Sequence, residues 1–120
     1  MLTLQEVLAD AAASPGFEGV AEVGVNSRGF NGETPLHWMS TLGDPEGLRL
    51  LLAAGAVINA TDKDGNSALH EAAAMRQTLA VQTLIDHGAD LRQKNSSGET
   101  PQEVAVASGF APVVALFKEQ

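Results

Sequence analysis

Apolar residues recur along this chain in short bursts of helical spacing, each closed by a glycine. Leu48, Leu51 and Leu52 stand at i, i+3 and i+4, and Val81, Leu84 and Ile85 repeat that spacing 33 residues later. Val114 and Phe117 continue it in the last stretch. Each burst reads as one amphipathic helix with a single face to bury. A shorter helix runs ahead of each. In "GETPLHWM", residues 32–39, Thr34 can cap a helix N-terminus, and Pro35 at the first helical position loses nothing by lacking an N–H. This helix is expected over 35–42, with Gly43 as its stop. Asp44-Pro45 restarts the same signal, and Gly55 closes the second helix. "GNSALHEA" (65–72) and "GETPQEVA" (98–105) open the next two blocks at the same interval. Ala68-Leu69-His70 falls on Pro35-Leu36-His37, Gly88 on Gly55, and Gly109 on Gly43. Between helix pairs, "AVINATDKDG" (56–65) reads as an extended segment ending in Asp-Gly, a hairpin signal.

A fixed period means that one supersecondary element is stacked on copies of itself, because no single helix pair can cover its own apolar face. Residues 32–64 and 65–97 are the full units. The unit at 98–120 is looser, with Gln102 and Glu103 where Leu and His stood, as the water-facing end of a stack should be. At the start, Leu4, Val7 and Leu8 form one helical face. Phe17, Val20 and Ala21 then reproduce the spacing of Leu48, Leu51 and Leu52, with Gly24 in the place of Gly55. Residues 1–31 therefore read as a degenerate N-terminal cap, two residues short. The pattern G-x-T-P-L-H, two helices, G-A-x-x-N-A and D-x-x-G at a 33-residue period resembles the ankyrin-repeat family. The resemblance implies an all-α solenoid of about four stacked helix-turn-helix units with β-hairpin fingers, forming a single domain over residues 1–120. It also implies a protein-binding role, with the fingers and the inner faces of the first helices making a concave surface. Such a fold says far more about architecture than about partner.

Composition narrows the partner. With 44% hydrophobic and 18% charged residues the chain reads as globular, and with one Trp, four Phe and no Tyr its core must be mainly Leu, Val and Ala. The absence of cysteine excludes disulfides, thiolate metal sites and a Cys nucleophile, and fits a reducing cytoplasm. The N-terminal "MLTLQEVLADAAASPG" has no basic leader region, and no apolar run reaches the length of a membrane span. A net charge of −8 argues against nucleic acid and anionic membranes and favours a basic protein surface. No cofactor is expected, since no phosphate-cradling loop occurs, and Ser40, Ser67 and Ser108 lack the glycine context of a nucleophile elbow. No catalytic residues are assigned, and the chain is expected not to be an enzyme.

Several residues invite chemistry. His37 and His70 lie one period apart, but a metal site needs three or four converging ligands, and the resemblance implies that each holds its Thr-Pro or Ser-Ala turn. His87 ends a second helix, where it suits the dipole. Asp62, Asp64, Gly65 and Glu71 fit a calcium loop except at its first position, which is Ala60, so a finger is expected there and no metal. Trp38 follows His37 where Glu71 and Val104 follow in the later blocks. It either packs beneath the shortened cap or stands exposed as an aromatic anchor. Phe30 occupies a finger tip where Lys63 and Ser96 sit later, a hard place to bury a ring. The partner surface is expected to include Arg28, Phe30, Glu33, Thr61, Lys63, Asn66 and Lys94 from the fingers, and Trp38, Glu71 and Met75 from the helices. The function expected is that of a monomeric protein-binding module, in its sharper form a small inhibitor or immunity-type protein that covers a basic target such as a nuclease. The alternative is an assembly protein self-associating through Val113, Val114 and Phe117. A metal-using enzyme would have to carry bound metal.

Overall fold

The computed structural model describes residues 2–20 and 22–120. Among these described residues seven α-helices follow in order: α1 Leu4–Ala13, α2 Pro35–Leu42, α3 Pro45–Ala53, α4 Ala68–Ala74, α5 Thr78–Asp86, α6 Pro101–Ser108 and α7 Ala111–Lys118. The first helices α2, α4 and α6 pack side by side, and the second helices α3, α5 and α7 form a row behind them. The α2 boundaries are those the capping residues dictate. Gly43 takes a left-handed conformation (φ 73°) at its end, and the Asp44 side chain accepts the N–H of Gly47 to start α3.

The core is the set of apolar positions that the spacing singles out. Leu48, Leu51, Val81 and Leu84 are fully buried, joined by Leu36, Leu69 and the small residues Ala68, Ala72, Ala73 and Ala105 that let the first helices approach closely. Val113 and Phe117 are buried in this same core, so they are not available as a self-association surface. They face inward where α7 packs on α5 and α6, while Val106 of α6 is 58% exposed.

Two expectations are corrected. Among its described residues the N-terminal block has no second α-helix. Where Phe17 and Val20 reproduce the helical spacing, only a 3₁₀ turn forms over Pro15–Phe17, and Ala21 lies outside the described residues. Pro15 and the glycines at 16, 19 and 24 break the helix, and the buried Phe17 ring stands in for its face. The fingers are not β-hairpins: among the described residues no strand forms. Each finger is a tight turn closed by two backbone hydrogen bonds, from the N–H of Gly29, Asp62 or Asn95 to the carbonyl four residues on, and from the N–H of Gly32, Gly65 or Gly98 back to the carbonyl of that same first residue.

The units are stitched together by hydrogen bonds that recur with the period. The Nε2–H of His37 donates to the Asn66 carbonyl, and that of His70 to the Glu99 carbonyl, each 2.8 Å. On the other edge of each ring, Nδ1 accepts the backbone N–H three residues back, from Thr34 or Ser67, at 3.1 Å. A backbone N–H can only donate and a carbonyl only accept, so these partners set the tautomer. The side chains of Asn26 and Asn59 accept the N–H of Val57 and Asp90, tying the turn region of one unit to that of the next. At the tips, the N–H of Lys63 donates to Asn31 and that of Ser96 to Asp64. Gly65 stands at this crossing with φ 75°, and a Cβ there would come within 2.8 Å of the Ser96 nitrogen. At the two ends of the stack, Glu6 and Glu103 replace the histidines. They keep the local capping box with Thr3 and Thr100 and, among the described residues, make no forward link.

Candidate protein-binding surface

The period places Trp38, Glu71 and Val104 one above another on the inner side of α2, α4 and α6, and the finger turns form the opposite bank. Between them lies an open cleft of about 560 Å³. Trp38 forms one wall. Glu33, Asp62, Asp64 and Glu71 supply carboxylates, and Lys63 is the one ammonium or guanidinium on its lining. A smaller hollow of about 400 Å³ continues toward the last unit, sharing Asp64 and Glu71 and adding Glu99 and Val104.

Trp38 is half-buried. It packs against the hydrophobic core and beside Ser14, Pro15 and Gly16 of the N-terminal cap, and it still lines the cleft. Its Nε1–H is buried with no hydrogen-bond partner among the described residues. Phe30, by contrast, is 86% exposed at the tip of the first finger. Its backbone N–H is bonded to the Gly16 carbonyl, which fixes the tip while leaving the ring in solvent.

Electrostatics separate the carboxylates. Asp62 Oδ1 accepts the N–H groups of Asp64 and Asn66, holding the finger turn. Glu33 Oε1 accepts the Asn31 N–H. The Glu71 carboxylate receives no such donor among the described residues. Burial, and then the negative charge of Asp62, Asp64 and Glu33, raise its pKa above the ordinary glutamate value. Burial likewise lowers the pKa of His37, keeping its ring neutral between its two hydrogen-bond partners.

The remaining sequence candidates divide. Arg28 is turned along the fingers, donating to the carbonyls of Gly32 and Thr61, so Thr61 serves it through the backbone. The Asn66 side chain accepts from Asn95 in the next finger at 2.9 Å. Lys94 is exposed at the register position of Arg28 and Thr61. Met75 is 50% exposed but caps the C-terminal end of α4, roughly 10 Å along the helix from the finger and outside the cleft. Sequence reasoning missed Asp62, Asp64 and Glu99 as acidic lining. Aligning the fingers by period, rather than judging each as a turn, would have placed them beside Glu33.

A family profile described as ankyrin repeats (3 copies) matches residues 6–95 and again 36–120. Among similar proteins, diacylglycerol kinase iota of Rattus norvegicus is 35% identical over 88 residues, covering 71% of this chain and 8% of that protein. B-cell lymphoma 3 protein homolog of Mus musculus is 36% identical over 92 residues, covering 73% of this chain and 20% of that protein. Protein PhlB of Serratia liquefaciens is 35% identical over 86 residues, covering 71% of this chain and 38% of that protein. The chain thus spans well under half the length of these relatives. The profile match, the 33-residue period and the stacked helix pairs agree: the chain belongs to the ankyrin-repeat family.

Proposed function

We propose that this protein binds a partner protein through the groove between its fingers and first helices. Ankyrin repeats are in general protein-interaction modules and not enzymes, and the kinase among the relatives is matched over only 8% of its length, so no catalytic activity is carried over. The observation that carries the reading is a half-buried Trp38 on the lining of an acidic cleft, with Phe30, next in the chain to the lining residue Asn31, solvent-exposed at the finger tip. Aromatic side chains at the centre of a rigid surface dominate binding energy, and the stitched helices have little entropy left to lose on association. The carboxylates select a basic face on the partner and speed its approach at low salt. In its specific form the proposal is a monomeric inhibitor or immunity-type protein of the cytoplasm that covers a basic enzyme such as a nuclease. Among the described residues no helix is long and apolar enough to cross a membrane. The test is the double variant Trp38→Ala/Phe30→Ala, which should keep the helical circular dichroism and lose partner binding. Undiminished affinity would reject this surface.

A further inference from the structure

We infer that the cleft beside Trp38 is the seat of an arginine side chain from the partner, its guanidinium stacked on the indole and facing the carboxylates of Glu71 and Asp64. This rests on the groove being the partner surface and adds which side chain of the partner enters it.

The cleft lies on an unpartnered helix face, and its occupant is argued from charge and shape together. Four carboxylates line it against the single ammonium of Lys63, which is exposed at the finger tip. The protein's own nearby guanidinium does not enter, because Arg28 is held on the carbonyls of Gly32 and Thr61. Asp62 and Glu33 already accept backbone N–H groups. Asp64 and Glu71 are the lining carboxylates that accept no hydrogen bond among the described residues; Asp64 is exposed, and Glu71 is half-buried. Its raised pKa is the sign of a charge held at a disadvantage until a cation arrives. Trp38 offers the aromatic face that best attracts a cation. Guanidinium fits this pairing better than ammonium: it is planar, more weakly hydrated, stacks on rings, and meets carboxylates with several donors.

Trp38 is the only tryptophan and the chain has no tyrosine, so intrinsic fluorescence reports on this cleft alone. The probe is a blocked Gly-Arg-Gly-Arg-Gly peptide, titrated to millimolar concentration, with citrulline and lysine versions alongside. A saturable change in Trp38 emission is expected with the arginine peptide. Binding should weaken at least tenfold with citrulline, several-fold with lysine, and at least tenfold in Glu71→Gln, a variant that folds because it removes an unfavourable charge. No response to the arginine peptide, an equal response to citrulline, or unchanged binding by Glu71→Gln would overturn the inference. A lysine peptide that binds as well as the arginine one would overturn the choice of guanidinium. Capture of the native partner separates the two levels. If Trp38→Ala/Phe30→Ala loses the partner while Glu71→Gln keeps it at full affinity, the groove stands and the arginine seat falls. If neither variant loses it, both fall.

Discussion

Replacing His70 by alanine removes one ring from the junction between two units. The side chain is 1% exposed and carries three linkages: to Nδ1 from the Ser67 N–H at 3.1 Å and the Ser67 hydroxyl at 2.8 Å, and from Nε2–H to the Glu99 carbonyl at 2.8 Å. Each orphaned backbone group costs about 1–3 kcal/mol when water cannot reach it. Ser67 is buried, so its N–H bears that penalty fully; Glu99 is half-buried, so water recovers part of the carbonyl's loss. Adding the cavity left by the ring, the expected destabilisation is about 3–5 kcal/mol. That is a large share of the roughly 5–15 kcal/mol that holds a domain folded. In urea, followed by circular dichroism at 222 nm, the midpoint should fall by about 1 M or more, given slopes of about 1–3 kcal/mol/M. Glu103 occupies the same position in the last unit, is exposed, and makes only its local cap with Thr100. Glu103→Ala should therefore lower the midpoint much less. Equal losses from the two substitutions, or a His70→Ala midpoint within about 0.2 M of the parent, would refute the idea that forward histidine links bind the units together.

Other outcomes follow from single positions. Arg76 sits at φ 59° where Gly43 and Gly109 occupy the equivalent turns, and its guanidinium donates to the Ser108 carbonyl and lies 5.8 Å from the centre of the Phe110 ring. Arg76→Ala keeps the strain and loses both contacts, so in chemical denaturation it should be less stable than Arg76→Gly by about 1 kcal/mol, and the reverse order would contradict this. Gly65→Ala should lower the melting temperature clearly more than Gly88→Ala, since both have positive φ but only at Gly65 would the new Cβ meet the next finger's backbone; equal effects would remove the finger crossing from the account. For pH, the raised pKa of Glu71 means that folding resists its ionisation, so its destabilising effect grows as pH rises above about 4.5 and is complete above its folded value. Glu71→Gln should thus stabilise the protein at neutral pH and lose that advantage on acidification, read from melting temperatures across pH. His37, with its pKa lowered, acts the other way. Stability falls as pH drops below about 6.5, because the unfolded chain takes up a proton that the folded ring refuses, and His37→Gln should flatten that slope.

The helices were legible because their signals are local. Thr34-Pro35, Gly43 and Asp44-Pro45 bound α2 and α3 with no tertiary help, and the i, i+3, i+4 apolar triplets name the buried residues of α3 and α5 directly. The N-terminal cap misled for the same reason. Phe17 and Val20 keep a helical spacing, yet Pro15 and the nearby glycines prevent the helix, and Phe17 is buried from a 3₁₀ turn instead. The turn-holding role of His37 and His70 could be read from their motif; their forward bonds to Asn66 and Glu99 could not, since those partners are carbonyls, which every residue carries. The site was half legible. Phe30 and Trp38 stand out as aromatics in a chain nearly without them. The acidic cleft is assembled from separate fingers and a helix, and no single stretch shows it. Met75 lies off the cleft lining, at the C-terminal end of α4; helical spacing gives a face but not the end of the helix nearer the groove.

The claim on which the rest depends is that partners dock on the finger side of the stack. A photo-crosslinking amino acid placed at Lys63, on a finger tip, or at Leu79, 65% exposed on α5 behind the first helices, tests it in the cells that make the protein, whatever the partner's identity. The account predicts a discrete adduct from position 63 that disappears with Trp38→Ala/Phe30→Ala, and none from position 79. An adduct from position 79 with none from position 63 would contradict it.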